Sequence, residues 1–232
     1  MTPFDATRIA PVEERIAAAC ARAGRDREDV QLIAVTKTRP LAICEDAAGA
    51  GLHHLAENYV QEWLPKSEAS EAWSPSVHWH FIGRLQSNKV GRLIGRTHRI
   101  HTVDRPKLLD TIDRLSAERG VRTDVLLQVN VVGEEQKGGC PPDEVMALAT
   151  HALALPCVRL RGLMTIAPMT ATAEEARPMF RALRNLLERV QTKLDAPEVR
   201  ELSMGMTADL EVAVEEGATW IRIGTALFGP RS

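Results

Sequence analysis

The segment Leu32-Ile33-Ala34-Val35-Thr36-Lys37 is an apolar run, rich in branched residues, that ends on an amine just before Arg39-Pro40 turns the chain. Runs of this kind are typical of buried β-strands. Seven more runs of the same character follow, at residues 53–57, 77–82, 98–103, 123–131, 157–166, 199–203 and 219–223. The sequence therefore predicts eight strands, the first at residues 31–37.

Segments with helical features separate these strands, near residues 40–50, 58–70, 87–95, 105–118, 141–153, 173–192 and 206–216. Alternation of strand and helix gives a parallel sheet. Eight such strands in 232 residues favour a closed barrel over an open doubly wound sheet. We therefore expect an α/β fold, a single (β/α)8 TIM-type barrel that forms one domain over residues 1–232.

An extra helix is predicted before the first strand. Apolar residues recur at helical spacing from Ile9 to Ala23, and Gly24 follows as a stop signal. At the other end of the chain, only residues 226–232 follow the loop after the last strand, which is too few for an eighth outer helix. We expect the N-terminal helix to cover that gap.

Composition and charge exclude several classes of protein. The net charge is -2 with acids and bases interspersed, which gives no electrostatic footprint for nucleic acid or an anionic membrane. The four cysteines, at positions 20, 44, 140 and 157, show no C-x-x-C spacing and are expected to be reduced. No signal peptide and no apolar run of ~20 residues is present. We expect a cytoplasmic protein whose partners are small molecules or protein.

Two loops are candidates for a phosphate site. Phosphate commonly binds the loops after the last two strands of such a barrel, and here these are 203–207 and 224–226. Glycine allows close backbone approach, hydroxyls add donors, and a helix opening near Thr207 offers free N–H groups. Either loop alone could be an ordinary tight turn, but together they favour phosphate.

Lys37, at the end of an early strand, would then face this phosphate site. That layout is suited to holding an aldehyde phosphate as a Schiff base. The alternative is a solvated lysine, because an ordinary pKa of ~10.4 leaves little free amine near neutral pH. The apolar strand and a nearby Arg222 could both lower the pKa of Lys37.

Arg222 and Asn58 complete the candidate site. Arg222 lies two residues before Gly224, so it is predicted to point into the barrel mouth, although a buried arginine paired with an acid is equally consistent. Beside a pyridine ring, Arg222 would keep the ring nitrogen unprotonated and weaken the ring as an electron sink. Asn58 follows Glu57 at the end of the second strand, as a cofactor contact or a helix cap.

The pair His78 and His80 has the spacing of a possible metal site. Two histidines at i and i+2 share one strand face, as in some metal-dependent barrel hydrolases. Strands five to eight end without histidine, and Asn130, Thr165 and Ser203 are poor zinc ligands. We therefore expect no metal site, with His80 facing the mouth or satisfying a local hydrogen bond. The remaining histidines are expected to be structural or exposed, at positions 53, 54, 98, 101 and 151.

A set of motifs in order along the chain resembles the pyridoxal-phosphate homeostasis proteins (the YggS/PROSC-like family). The motifs are residues 34–38, 57–62, 80–83, 85–89, 101–104, 161–164, 203–209 and 222–229. The resemblance covers essentially the whole chain. The family often has serine where this chain has Thr207, which retains the hydroxyl, and glycine where it has Ala56. In the family the Lys-Gly step at Lys137 also recurs.

The resemblance implies that this chain has the barrel domain of alanine racemase and lacks the racemase's second domain. It implies pyridoxal 5'-phosphate (PLP) bound to Lys37, with Asn58 beside it and Arg222 near the pyridine nitrogen. The phosphate would be held by residues with hydroxyls or free backbone, namely Ser203, Thr207, Gly224 and Thr225. The implied role is PLP (vitamin B6) and amino-acid homeostasis by a monomer without an established catalytic reaction, with PLP-dependent apoenzymes as possible recipients.

Two enzymatic alternatives stay open from the residues. One is a PLP-dependent amino-acid racemase of low activity, which would need a second acid or base opposite Lys37. The single tyrosine, Tyr59, is placed by sequence on the lysine's own side. The other is a cofactor-free lyase that uses Lys37 on a sugar or keto-acid phosphate.

Lys137 could receive PLP in transit, or be an ordinary solvated loop lysine.

Overall fold

The computed structural model describes residues 3–73, 76–133, 138–168 and 172–230, and it confirms the predicted barrel. Eight parallel strands close in sequence order, with the last paired to the first. The strands are β1 Gln31–Val35, β2 His54–Glu57, β3 His78–Phe81, β4 Arg99–Val103, β5 Thr123–Gln128, β6 Val158–Met164, β7 Glu201–Ser203 and β8 Trp220–Ile223. Several predicted strands were too long at their carboxyl ends, where the chain already turns into the loops.

Helices surround the barrel. They are α1 Ile9–Ala23, α2 Leu41–Gly49, α3 Val60–Ser70, α4 Pro106–Glu118, α5 Val145–Ala154, α6 Ala173–Leu194, α7 Leu210–Glu215 and α8 Thr225–Phe228. Between β3 and β4 the chain forms a 3₁₀ helix, Ser87–Arg92, in place of the helix predicted near 87–95. Glycines 91 and 95 weaken a regular helix there, and Gly95 adopts a positive φ of 80°.

The N-terminal helix covers the gap at the end of the barrel, as predicted. Helix α8 has only four residues, and α1 packs beside it and along α7. Arg15 Nε lies 2.6 Å from Glu211 Oε1, and Arg25 Nη1 donates to the carbonyl of Val214 at 2.7 Å. Ile16, on the inner face of α1, is completely buried.

The barrel interior contains both apolar and polar side chains. Alternate strand positions face inward, and some of these form a small apolar cluster of Ile33, Val35, Ala56, Ile82 and Trp220. The outward positions contact the helices and belong to a separate, much larger apolar core. Several other inward positions are polar, and burying a polar group is costly unless the group finds a hydrogen-bond partner.

The polar interior residues meet that requirement by forming one column, His54–His80–His101–Ser203–Arg222. His54 Nδ1 lies 3.0 Å from His80 Nε2, and His80 Nδ1 lies 2.9 Å from His101 Nε2. His101 Nδ1 lies 2.9 Å from Ser203 Oγ, which accepts a hydrogen bond from Arg222 Nη1 at 2.7 Å. His80 is thus buried and hydrogen-bonded inside the barrel, and does not face the mouth.

An ion cluster closes the amino-terminal end of the barrel. The buried Arg99 guanidinium makes a bidentate pair with Glu201 and lies 3.6 Å from Asp124. It also stands over the ring of Trp220, at 5.3 Å from the centroid. Trp220 Nε1 donates to Glu201 at 2.9 Å. We name Arg99, Glu201, Asp124 and Trp220 the barrel floor.

Two further sequence expectations bear on the fold. The four cysteines are all unpaired thiols. Among the described residues, no helix combines the length and the apolar character needed to span a membrane.

The buried histidines predict a loss of stability in acid. Burial lowers the pKa of His54 to about 4 and of His98 to about 3, and it lowers the pKa values of His80 and His101. Between pH ~6.5 and ~4 the unfolded chain therefore binds protons that the folded chain does not. Each fully buried histidine should lower the free energy of unfolding by up to ~1.4 kcal/mol per pH unit as the pH falls through this window.

The measurement is urea unfolding from pH 7.5 to 5 with a chelator present. His98→Gln removes one titrating ring and keeps an acceptor for Arg99 Nη1, which lies 2.7 Å from His98 Nε2. Its stability profile should be flatter than that of the wild type. His151→Asn, which leaves all four buried rings in place, should keep the loss of stability in acid. Parallel profiles for His98→Gln and the wild type would contradict the assignment.

Candidate functional site

Lys37 lies at the carboxyl end of β1, two residues after the inward-facing Val35, and is partly buried. The chain on both sides of it is held in place. Before it, Thr36 N donates to the carbonyl of Ala56 at 3.0 Å. After it, Thr38 adopts a positive φ of 64° and donates its N–H to Glu62 Oε2 at 2.6 Å. A non-glycine residue at positive φ is strained, so the bond to Glu62 helps to fix the turn.

A buried ion pair supports this turn from behind. Glu57 is completely buried, and its Oε1 accepts from Lys66 Nζ at 2.5 Å and from Thr36 Oγ1 at 2.7 Å. Lys66 Nζ also donates to the carbonyl of Thr36 at 3.0 Å. Burial raises the pKa of Glu57, while the Lys66 ammonium opposes that rise. We name Thr36, Glu57, Glu62 and Lys66 the lysine clamp.

Asn58 lies at the barrel mouth on the inward row of β2, two residues after Ala56. Its Oδ1 is buried and has no hydrogen-bond partner among the described residues. A buried amide left unsatisfied costs about 1–3 kcal/mol, so this atom fits a site that receives a polar ligand. Gly83 allows the β3 loop to pass closely, because a Cβ there would lie 1.8 Å from the Asn58 carbonyl oxygen.

Arg222 is buried at the end of the polar column. Its two terminal nitrogens donate to Ser203 Oγ at 2.7 Å and to the carbonyl of Thr165 at 2.9 Å. These acceptors are neutral, in contrast to the paired acid considered from the sequence. Burial lowers the pKa of Arg222 to about 10, and Asp209 opposes that shift. Arg222 is therefore a cation at neutral pH.

The loop after β7 differs in part from its prediction. Ser203 is completely buried, and its hydroxyl is engaged by both Arg222 and His101. Gly205 adopts a φ of 92°, and a Cβ there would lie 2.5 Å from Ala213 Cβ. The helix expected to open near Thr207 begins three residues later, at Leu210, because Asp209 Oδ1 first accepts from Met206 N at 2.6 Å. Loop N–H groups, with the partly exposed Thr207, are what this segment offers an anion.

The loop after β8 brings the last two predicted residues to the mouth. Gly224 lies beside β1, where an added Cβ would stand 3.6 Å from Val35 Cβ. Thr225 is exposed and opens α8, whose first N–H groups have no intrahelical acceptor. Lys37, Asn58, Arg222, Gly224 and Thr225 are thus all at the carboxyl end of the barrel. Ser203 lies deeper, beneath Arg222.

A cavity of about 590 Å³ adjoins Asn58. Its lining includes three basic side chains, Arg84, Lys89 and Arg105, together with Tyr59. Tyr59 is 56% exposed, and its placement on the same side as Lys37 stays a prediction. Lys137 lies outside the described residues.

Sequence reasoning missed the partners that hold the site. It identified Glu57 only as a neighbouring carboxylate and passed over Lys66. The available signal was the spacing of Glu62 and Lys66, at i and i+4 on a predicted helix directly after Asn58. His101 gave no signal, because its partner Ser203 is 102 residues away in the chain.

The lysine clamp predicts a large effect for Lys66→Met. The substitution leaves the buried Glu57 carboxylate without its counter-ion, which typically costs about 3–5 kcal/mol. We expect the free energy of unfolding, measured with urea, to fall by that order. The double variant Lys66→Met with Glu57→Gln should recover much of the loss, because no buried charge then remains unpaired. Equal stability of the two variants would contradict the role of the pair.

Comparison with known proteins shows which family and fold this chain shares. The family model described as "Alanine racemase, N-terminal domain" matches residues 10–232. The pyridoxal phosphate homeostasis protein of Aquifex aeolicus is 45% identical over 224 residues, which cover 97% of each chain. Among solved structures, PipY of Synechococcus elongatus with PLP bound is 38% identical with a TM-score of 0.83. That match covers 94% of this chain and all of PipY.

A more distant likeness concerns the fold alone. Alanine racemase from Corynebacterium glutamicum is 14% identical with a TM-score of 0.72. The match covers 99% of this chain but only 63% of the racemase chain. This chain therefore corresponds to the barrel portion of the racemase. From the family model and the near full-length identity to its relatives, the chain belongs to the family of pyridoxal phosphate homeostasis proteins.

Proposed function

We propose that this chain holds PLP at the barrel mouth through Lys37 and serves PLP and amino-acid homeostasis as a carrier. The observation that carries the proposal is Arg222, a buried cation satisfied by neutral acceptors at the end of the strand next to that of Lys37. The PLP-bound structure of the related PipY supports the choice of ligand. The unsatisfied Asn58 Oδ1 supports a polar ligand at this position.

Each predicted residue has a role in this proposal. The Lys37 amine holds the aldehyde carbon as a Schiff base, the Asn58 amide binds beside the ring, and Arg222 donates toward the pyridine nitrogen. Thr207, Gly224 and Thr225 bind the phosphate. Ser203, expected from the family resemblance to bind phosphate, is proposed instead to position Arg222, because its hydroxyl is already engaged by Arg222 and His101.

Arg222 also bears on why the chain would hold PLP without using it. PLP acts as an electron sink when its ring nitrogen is protonated. A guanidinium whose pKa stays near 10 donates a hydrogen bond but does not give up its proton at neutral pH. In addition, racemisation needs an acid or base on each side of the substrate carbon, and Tyr59 is exposed at the rim. These features favour holding the cofactor.

Lys37→Ala tests the covalent attachment. Protein loaded with PLP and reduced with borohydride should gain one cofactor mass on Lys37, located by peptide mass spectrometry. Lys37→Ala should lose this adduct together with the visible absorbance of bound PLP. Lys107→Ala, at an exposed site on α4, is the matched control and should keep both. An adduct of the same yield in Lys37→Ala would overturn the assignment.

The same experiment separates the cofactor-free lyase. Borohydride reduction is repeated without PLP, in the presence of a sugar phosphate or keto-acid phosphate. A carrier of PLP should show no adduct of the phosphate compound on Lys37. A stoichiometric adduct would favour the lyase.

Deuterium exchange tests the absence of racemase chemistry. PLP-loaded protein is incubated in D₂O with several L-amino acids, and deuterium at the alpha carbon is measured by NMR. We expect exchange no faster than with free PLP, because Arg222 weakens the ring as an electron sink. Exchange well above that background, lost in Lys37→Ala, would make the chain an enzyme.

The proposal extends to location and partners. We place the chain in the cytoplasm as a monomer, with PLP-dependent apoenzymes as recipients of the cofactor and no nucleic acid or membrane partner. The four unpaired cysteines support a reducing compartment. Light scattering after gel filtration tests the monomer, and a mass of two chains would contradict it.

A further inference from the structure

Three histidines converge toward the amino-terminal end of the barrel, away from the PLP site. His54 begins β2, His80 lies in β3, and His98 directly precedes β4. One ring nitrogen of each lies within 4.8 Å of those of the other two. His80 is completely buried, and His54 and His98 are partly buried. We name these residues the histidine trio.

We propose that the histidine trio binds a divalent transition-metal ion of the zinc class. Imidazole is a favoured ligand for zinc, copper and nickel. Three protein ligands with one open position are a common zinc arrangement, with Zn–N distances of about 2.0–2.1 Å. In tetrahedral geometry such ligand nitrogens lie about 3.3 Å apart. The pair His54 Nδ1 and His80 Nε2 is already 3.0 Å apart, and one nitrogen of His98 lies within 4.8 Å of the ligand nitrogens of both.

The protonation state of the trio suits metal binding. Burial lowers the pKa of each of the three rings, so all are neutral at pH 7. A neutral imidazole carries one nitrogen lone pair for the metal, and no ring has to lose its charge first. The direct contact of two ring nitrogens at 3.0 Å also means that one proton is shared between them, and a metal ion would replace that proton.

The surroundings supply an outer shell. Metal-binding histidines usually donate their second N–H to an acceptor that fixes the ring. If His80 binds through Nε2, its Nδ1 carries the proton and lies 2.9 Å from His101 Nε2. His101 in turn lies 2.9 Å from Ser203 Oγ. The polar column thus holds His80 in the orientation that the metal requires.

The fourth position faces the amino-terminal rim. His78 is exposed there, and its ring centroid lies 5.0 Å from that of His54 and 4.8 Å from that of His98. Either His78 or a water molecule can complete a four-coordinate ion. The exposed rim also gives the ion a route into the site, which the fully buried His80 alone would not offer.

Arg99 competes with the metal ion for a ring nitrogen of His98. Its Nη1 lies 2.7 Å from His98 Nε2, so coordination through that atom displaces one hydrogen bond. Arg99 keeps its pair with Glu201 and the nearby Asp124, and these two carboxylates offset its charge next to the ion. We therefore expect a site that binds metal with moderate affinity and that can be emptied by a chelator.

The test uses the full chain without a histidine tag, stripped with a chelator and dialysed. Zn²⁺ is titrated by calorimetry, and Co²⁺ is titrated by its visible absorbance. We expect one ion per chain, with three or four nitrogen ligands by X-ray absorption at the zinc edge. His54→Gln and His98→Gln should each weaken binding tenfold or more, while His151→Gln, at a partly exposed site on α5, should bind as the wild type does.

Two further variants make the outcome decisive. Lys37→Ala should bind Zn²⁺ unchanged, which separates this site from the proposed PLP site. His78→Ala should weaken binding if the exposed ring completes the shell, and leave it unchanged if water does. Thermal melting of each metal-free variant checks that it is folded. Absence of one-to-one binding by the wild type, or wild-type binding by folded His54→Gln and His98→Gln, would overturn the proposal and leave the trio as hydrogen-bonded core.

Discussion

The hydrogen bond from Arg222 to Ser203 is the interaction on which the inside of this barrel depends. A guanidinium without water must donate to acceptors that the chain provides, or the burial of its charge is too costly. Ser203 can accept from Arg222 only where it is held, and His101 and His80 hold it. The polar column therefore replaces apolar side chains that would otherwise fill the interior, and a cation near the mouth is obtained at the expense of apolar packing.

The lysine clamp solves the corresponding problem for Lys37. The Schiff base proposed at Lys37 would require its amine to be held within a narrow range of positions. Glu57 binds Thr36 and Lys66 together, and Glu62 binds the residue after Lys37. Since both acids belong to one short segment from the end of β2 into α3, the position of Lys37 follows from how β2 and α3 pack against β1.

The parts of the fold that follow local rules could be predicted from the sequence. Alternation of strand and helix indicated the barrel, and the two-residue period of a β-strand predicted that Arg222 points into it. The parts that the sequence could not show depend on contacts between distant segments. The sequence around Ser203 showed only its neighbours in the chain, whereas the partners of its hydroxyl come from β4 and β8, so its binding of phosphate stays a prediction. His80 was considered as a metal ligand only with His78, because His54 and His98 lie where β2 and β4 begin and further ligands were sought where strands end.

The column joins the two ends of the barrel by a chain of neutral hydrogen bonds that can run in either direction. When Ser203 donates to His101, the proton of each ring points toward the floor, and when His101 donates to Ser203, each points toward the mouth. Ser203 Oγ can accept from Arg222 in both directions, so Arg222 favours neither direction of the hydrogen-bond chain. Coordination of a metal ion by His80 Nε2 would select one direction, because it requires the proton of His80 to be on Nδ1. The proposed ion would then fix which lone pairs Ser203 presents to Arg222 at the other end of the column, without any movement of the backbone.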